Sequence, residues 1–223
     1  MRRYVSGVLD VVGPARDVFT PHKARDEEVM GWVMDTVSAH QRHTTNGVVT
    51  GKPRVMCGSL HNDDAVAQGL AVVLSLALAR HGLGDLEGGA RVIIQGAGSV
   101  GGHLARLLHA AGHRVIGLSD VHGGYLADDG LDVPALLAHR DATGSLRDAP
   151  GRLRQLPNEE LLLEPCDVLV PCAVANVVTS RNAQDVRARL VIEGAHAPVS
   201  ARAGPKRPPR FLRYWWLPIS RHG

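Results

Sequence analysis

The stretch from Arg91 to Asp120 admits few arrangements other than strand, glycine turn, helix and second strand. Arg91-Val-Ile-Ile-Gln95 is an unbroken β-branched run, the pattern of a strand covered on both faces. Gly96-Ala-Gly-Ser-Val-Gly101 follows with nothing between. In that order each glycine has its own use: Gly96 makes a tight turn, Gly98 lets backbone approach a pyrophosphate, and Gly101 lets the next helix pack closely on the sheet. The phosphates would then sit at that helix's N-terminus, against the backbone of Ser99 and Val100. Val100, Leu104, Leu107 and Leu108 recur at helical spacing up to Gly112, and Arg114-Val-Ile-Gly-Leu118 gives a second strand ending at Ser119-Asp120. A glycine motif alone says little. Here an acid follows 19 residues after Gly101, where the ribose of a dinucleotide needs an acceptor. A solvated carboxylate at a strand end is the weaker alternative for Asp120.

The flanking text supplies more units of the same kind. An apolar helix is expected over residues 4–12, stopped by Gly13-Pro14, and a second helix from Asp26 to about His40, with Val29, Trp32, Val33 and Val37 on one face. Residues 44–58 read as a loop. A long helix capped by Ser59 or Asn62 should run to Arg80, with Ala65, Leu70, Val73, Leu74, Ala77 and Leu78 inward and His81-Gly82 closing it. After Asp120, Gly123-Gly124 and Asp128-Asp-Gly130 read as loops, Asp132 caps a helix, and Asn158 to Leu163 fits a short one. Asp167-Val-Leu-Val170 and Leu190-Val-Ile192 are further strands. Strands separated by helical stretches predict an α/β, Rossmann-type doubly wound parallel sheet with its ligand at the strands' carboxyl ends.

Composition narrows the setting. The chain is 44% hydrophobic and 21% charged, with no apolar run of membrane-spanning length and no signal-peptide core, so a cytoplasmic protein without a membrane partner is expected. Cys57, Cys166 and Cys172 lack CxxC spacing, which points to reduced thiols and no metal site. The formal charge of +3 comes from residues 200–223, which hold six Lys/Arg and no acid. Without them the balance is −3, and that basic, Pro- and Trp-rich tail differs in kind from the rest. Nucleic-acid contact through it is the weakest of the readings.

With these segments on the page the chain resembles the glutamate/leucine/phenylalanine/valine dehydrogenases. The matching text is Thr50-Gly-Lys-Pro53, Gly58-Ser-Leu60, Gln95-Gly-Ala-Gly-Ser-Val-Gly101, Ser119-Asp120 with Gly123-Gly124, Asp129-Gly-Leu-Asp132, Cys166-Asp-Val-Leu-Val-Pro171, Asn176 and Glu193-Gly-Ala195. The resemblance implies an oxidoreductase that oxidatively deaminates glutamate or a hydrophobic amino acid with a nicotinamide cofactor. It divides the chain into residues 1–57, a remnant of a substrate domain, residues 58–199, the Rossmann domain, and residues 200–223, outside the family pattern. Gly96, Gly98, Ser99, Val100, Gly101 and Asp120 would bind the dinucleotide, and the resemblance adds Ala173 and Asn176 near the nicotinamide ribose. NAD is the expected cofactor and NADP is disfavoured, because a free carboxylate at Asp120 repels a 2′-phosphate.

Three departures set expectations for activity. The family's lysine-bearing loop has no counterpart here, so an incomplete chain with impaired activity is expected. His22 falls at the family's catalytic aspartate position, although a surface loop histidine is the better-supported reading of it. Val66 replaces a hydroxyl that would meet the nicotinamide carboxamide and cannot form its hydrogen bond. The tail has the Arg/Pro/Ala/Gly-rich character of an out-of-frame reading. The alternative is a non-catalytic dinucleotide-binding module or pseudoenzyme subunit. The expected partners are an amino-acid substrate and further copies of the chain, a homo-oligomer.

Overall fold

The computed structural model describes residues 1–21, 26–59, 64–200 and the backbone of 212–215. By compactness the chain divides into Met1–Asn62 and Asp63–Gly223.

The first unit contains α1 (Arg2–Gly7), α2 (Asp26–Gln41) and two single 3-10 turns, Asn46–Val48 and Arg54–Met56. Its core gathers Val5, Val12, Met30, Val33, Met34, Val37, Val48 and Val49. Residues 30, 33, 34 and 37 carry the apolar stripe of α2, so Trp32 lies off it and is 40% exposed, contrary to the face expected from the sequence. Two methionines take the place assigned to the tryptophan, and their flexible side chains fill the gap between helix and loops. The helix expected to reach Val12 ends at Gly7, and Val12 instead bridges to Asp17 across the Gly13-Pro14 turn.

The second unit runs α3 (Ala65–Arg80), β1 (Arg91–Gln95), α4 (Ser99–Ala110), β2 (Arg114–Asp120), β3 (Gly123–Leu126), α5 (Val133–Thr143), β4 (Arg154–Leu156), α6 (Asn158–Leu161), β5 (Val168–Pro171), β6 (Leu190–Glu193) and β7 (Leu212–Trp215). These strands form one seven-stranded sheet in the order β4-β3-β2-β1-β5-β6-β7. The pairs from β2 through β7 are parallel, and β3 pairs antiparallel with both β2 and β4. Side chains alternate between two cores. Val92, Ile94, Val168, Val170, Leu190 and Ile192 meet Leu70, Leu74, Leu104 and Leu137 from the long helices on one face. Ile93, Ile116, Leu169 and Val191 meet Leu161, Val178, Ala183 and Val186 on the other. Burial on both faces is why these strands read as continuous apolar runs. Each such fully buried Leu or Ile contributes roughly 1.5–3 kcal/mol of transfer free energy.

The inward face of α3 is formed by Ala67, Leu70, Leu74, Ala77 and Leu78, with Val73 half-buried and Ala65 exposed. Its closure at His81-Gly82 is as read, with Gly82 at φ +65°. Asp132 caps α5, its Oδ1 accepting from Ala135 N–H at 3.0 Å. The crossover from β5 to β6 is a string of turns, not a helix. No helix among the described residues is long and apolar enough to cross a membrane.

The clearest correction concerns Gly123-Gly124, read as a loop and found as the start of strand β3. A Cβ on Gly124 would lie 2.8 Å from Leu161 Cδ2, and one on Gly117 of β2 would lie 3.0 Å from Leu161 Cδ1. Gly117 and Gly124 are there because α6 lies close over the sheet; Gly123, at φ +147°, takes a backbone conformation that favours glycine. Gly124→Ala should therefore destabilise by about 1–3 kcal/mol through overpacking, and Leu161→Ala by about 2–5 kcal/mol through a cavity. Urea unfolding of the double variant should show a loss smaller than the sum, since removing Leu161 relieves the clash.

Candidate functional site

Strand β1 lies between β2 and β5, so the chain departs to one side after β1 and to the other after β5. That reversal splays the two connections apart and leaves a crevice at the strands' carboxyl ends. A cavity of about 1080 Å³ opens there, lined by residues 95–98 and 119–121, by Asn158 and Glu159, and by residues 172–177.

The glycine turn is fixed from two directions. Gly96, at φ +99°, donates its N–H to Ser119 Oγ at 3.1 Å, and Ala97 N–H donates to the Ser119 carbonyl. Ser119 itself is buried. A Cβ on Gly96 would lie 2.9 Å from that of Ala173, and one on Gly101 would overlap the Gly96 carbonyl oxygen. Gly98 differs: a Cβ there would meet nothing within 4 Å, because it faces open space. Gly98 is also the N-cap of α4 and brings no side chain to cap it. An uncapped helix N-terminus facing a crevice favours an anion there.

Gly96, Gly98, Asp120, Ala173 and Asn176 all line the cavity. Ser99, Val100 and Gly101 form the first turn of α4 immediately after Gly98. Asn176 is held in the left-handed region at φ +57°, its N–H donating to the Ala197 carbonyl at 3.0 Å. His22 lies outside the described residues.

Asp120 is more engaged than its place at a strand end suggests. Its Oδ2 accepts from Ser145 Oγ at 2.8 Å and Leu146 N–H at 2.7 Å, and its Oδ1 from His122 N–H at 2.7 Å. Burial pushes its pKa up, but the donors from Leu146, His122 and Ser145 outweigh it and hold the carboxyl below its ordinary value. It therefore stays ionised at neutral pH.

Four lining residues have roles that the motif did not signal. Ser119 locks the turn, as above. Arg140 of α5 donates through Nη1 to the Ala97 carbonyl. Asn158 donates to the Asp120 carbonyl at 2.8 Å, while among the described residues its Oδ1 and Gln95 Oε1 are buried without a hydrogen-bond partner. Only one of these left a trace in the sequence. A second glycine, Gly102, follows the motif inside the helix, and a Cβ there would overlap Arg140 Nη1. Among the described residues the charged groups lining the cavity are Asp120, Arg140, Glu159 and Arg181, and none is a lysine.

The profile of the Glutamate/Leucine/Phenylalanine/Valine dehydrogenase family matches residues 57–205. The chain belongs to that family. It is 39% identical over 202 residues to the catabolic NAD-specific glutamate dehydrogenase RocG of Bacillus subtilis, covering 91% of this chain and 47% of that one. An NAD-specific glutamate dehydrogenase of Staphylococcus aureus is 36% identical over 202 residues, covering 91% of this chain and 48% of that one. The chain thus spans about half the length of the curated relatives it matches. Among solved structures, a hetero-hexameric glutamate dehydrogenase from Thermus thermophilus in a leucine-bound form superposes with a TM-score of 0.81 at 37% identity, covering 96% of this chain and 50% of that one. Glutamate dehydrogenase from Plasmodium falciparum gives a TM-score of 0.82 at 21% identity over 96% of this chain and 47% of that one, a likeness of fold alone.

Because the folded-state pKa of Asp120 is depressed, its contribution to stability is present above the ordinary carboxylate range and lost as pH falls through the folded value. Asp120→Asn should unfold at lower denaturant than the wild type at pH 7. That gap should begin to narrow below about pH 4, where the unfolded chain's carboxyl takes up its proton, and close as the folded carboxyl is protonated in turn. Guanidinium unfolding at pH 7 and pH 3 measures both.

Proposed function

We propose that the second unit holds NAD across this cavity and serves the oxidative deamination of an amino acid. The observation that carries it is the open face of Gly98 at the N-terminus of α4, in a cavity at the point where the sheet's connections diverge. The residues present fit the cofactor. Gly98 leaves room that a side chain would fill, the first-turn backbone of Ser99, Val100 and Gly101 favours a diphosphate, and Asn158 Oδ1 and Gln95 Oε1 are buried acceptors without a donor among the described residues.

Asp120 would accept from the adenosine ribose with the capacity its three protein donors leave. Held ionised, it would repel a 2′-phosphate, which favours NAD over NADP. Ala173 and Asn176, after β5, would flank the nicotinamide half. Bound there, the nicotinamide supplies the hydride acceptor. The chain's own residues place it and keep its charges compensated. The specificity in the names of the Bacillus and Staphylococcus relatives supports both glutamate and NAD. The Thermus relative, described as hetero-hexameric, supports an assembly of several copies.

A second reading, a dinucleotide-binding module without catalysis, is favoured by the cavity's lining, which among the described residues includes no lysine to activate water. It is favoured also by Val66, half-buried at the start of α3. His22 enters the proposal only as the histidine at the family's aspartate position.

NADH fluorescence titration of the full chain decides between these and a chain that binds nothing. Binding with glutamate-dependent NAD reduction supports the enzyme, binding without turnover supports the module, and no binding rejects both. Gly98→Ala should leave the unfolding midpoint unchanged yet weaken NADH by about tenfold or more, because the new methyl enters the open space. Asp120→Asn should bring the NADPH and NADH affinities closer together.

A further inference from the structure

The last turn of α5 and the bend after it touch both halves of the cavity, although they lie outside the strand, turn and helix motif. Arg140 Nη1 donates to the Ala97 carbonyl in the middle of the glycine turn. Its Nε donates to Asp141 Oδ1 at 3.0 Å, and Asp141 also takes Arg106 Nη2 of α4 at 3.0 Å. The guanidinium is thus tied to the turn, to its own helix and, through Asp141, to the helix that follows the turn. Five residues on, Ser145 Oγ and Leu146 N–H both donate to Asp120 Oδ2. Gly144, at φ +82°, reverses the chain between the two contacts and itself lines the cavity.

We infer that residues 140–146 are a positioning segment of the dinucleotide site, in which Arg140 holds the phosphate-binding turn and Ser145 with Leu146 aims the ribose-binding carboxylate. The inference rests on the reading of the cavity as a dinucleotide site. Gly102 supplies an independent sign. A glycine one residue beyond the motif's third has no use in phosphate binding, and it stands where any side chain would displace the Arg140 guanidinium. An alanine there meets only the far end of a flexible side chain, so Gly102→Ala removes the Arg140 contact while keeping the arginine and favouring the helix. Because Ala97 sits in the glycine turn and Asp120 at the end of β2, the two contacts serve different parts of one ligand, and ligands that contain one part or both tell them apart.

The test is calorimetric titration of the full chain with adenosine, ADP and NADH, alongside thermal unfolding. Gly102→Ala and Arg140→Met should each weaken ADP and NADH by about tenfold, the scale of a lost charge-assisted hydrogen bond, while changing adenosine by less than about twofold. Arg140→Lys, which keeps the charge but loses the planar fork, should recover part of the loss. Ser145→Ala should weaken all three ligands alike, by about threefold, because each carries the ribose. The inference is overturned if Gly102→Ala and Arg140→Met bind ADP and NADH as the wild type does, or if they weaken adenosine as much as ADP. A wild-type chain that binds none of the three rejects the dinucleotide reading itself, an outcome distinct from the other two.

Discussion

How closely α4 can approach the exit of β1 governs the rest of the second unit. The Gly101 backbone sits against the Gly96 carbonyl with no room for a methyl group, and that approach brings the helix N-terminus over the end of the strand. Ser119, buried at the end of β2, takes Gly96 N–H on its hydroxyl and Ala97 N–H on its carbonyl, so the turn's first two amides are committed inside the protein. What remains to face the crevice is Gly98 and the start of the helix. This division of labour among backbone groups leaves the uncapped start of α4 turned toward the crevice, a setting that favours an anion.

Much of this was legible because its causes are local. Strands β1 and β2, helix α4, the Asp132 cap of α5 and the closure of α3 at Gly82 each depend on neighbours a few residues away, which a sequence displays directly. What escaped depends on residues distant in the chain. Gly124 looks like part of a bend until Leu161 is placed over it. The edge strands β4 and β7 carry little apolar alternation, and their pairing comes from β3 and β6. Arg140 had no sequence signature of its own and was betrayed only by the space left at Gly102. Trp32 is a plain misjudgement of phase, since the stripe at 30, 33, 34 and 37 was already present in the sequence.

The antiparallel β3 also changes how the sheet ends. A parallel continuation beyond β2 would have required a crossover helix, whereas the tight return at 121–122 reaches β3 directly and keeps the backbone on the Asp120 side of the cavity. His122, inside that return, gives its N–H to Asp120, and Asn158 at the start of α6 holds the Asp120 carbonyl. The carboxylate is therefore clasped by the bend after β2 and by the segment after α5, while α6 holds the backbone of the same residue. Such convergence on a side chain otherwise open to solvent fixes its direction before any ligand arrives.

Cys172 sits at the end of β5 with its Sγ against Gly194, and burial pushes its thiol up to about 12. The thiol therefore stays protonated at neutral pH. Peroxide and electrophiles attack the anion, so a raised pKa slows the oxidation of this cavity-lining sulfur. The raised thiol thus leaves an unreactive sulfur at the edge of the crevice.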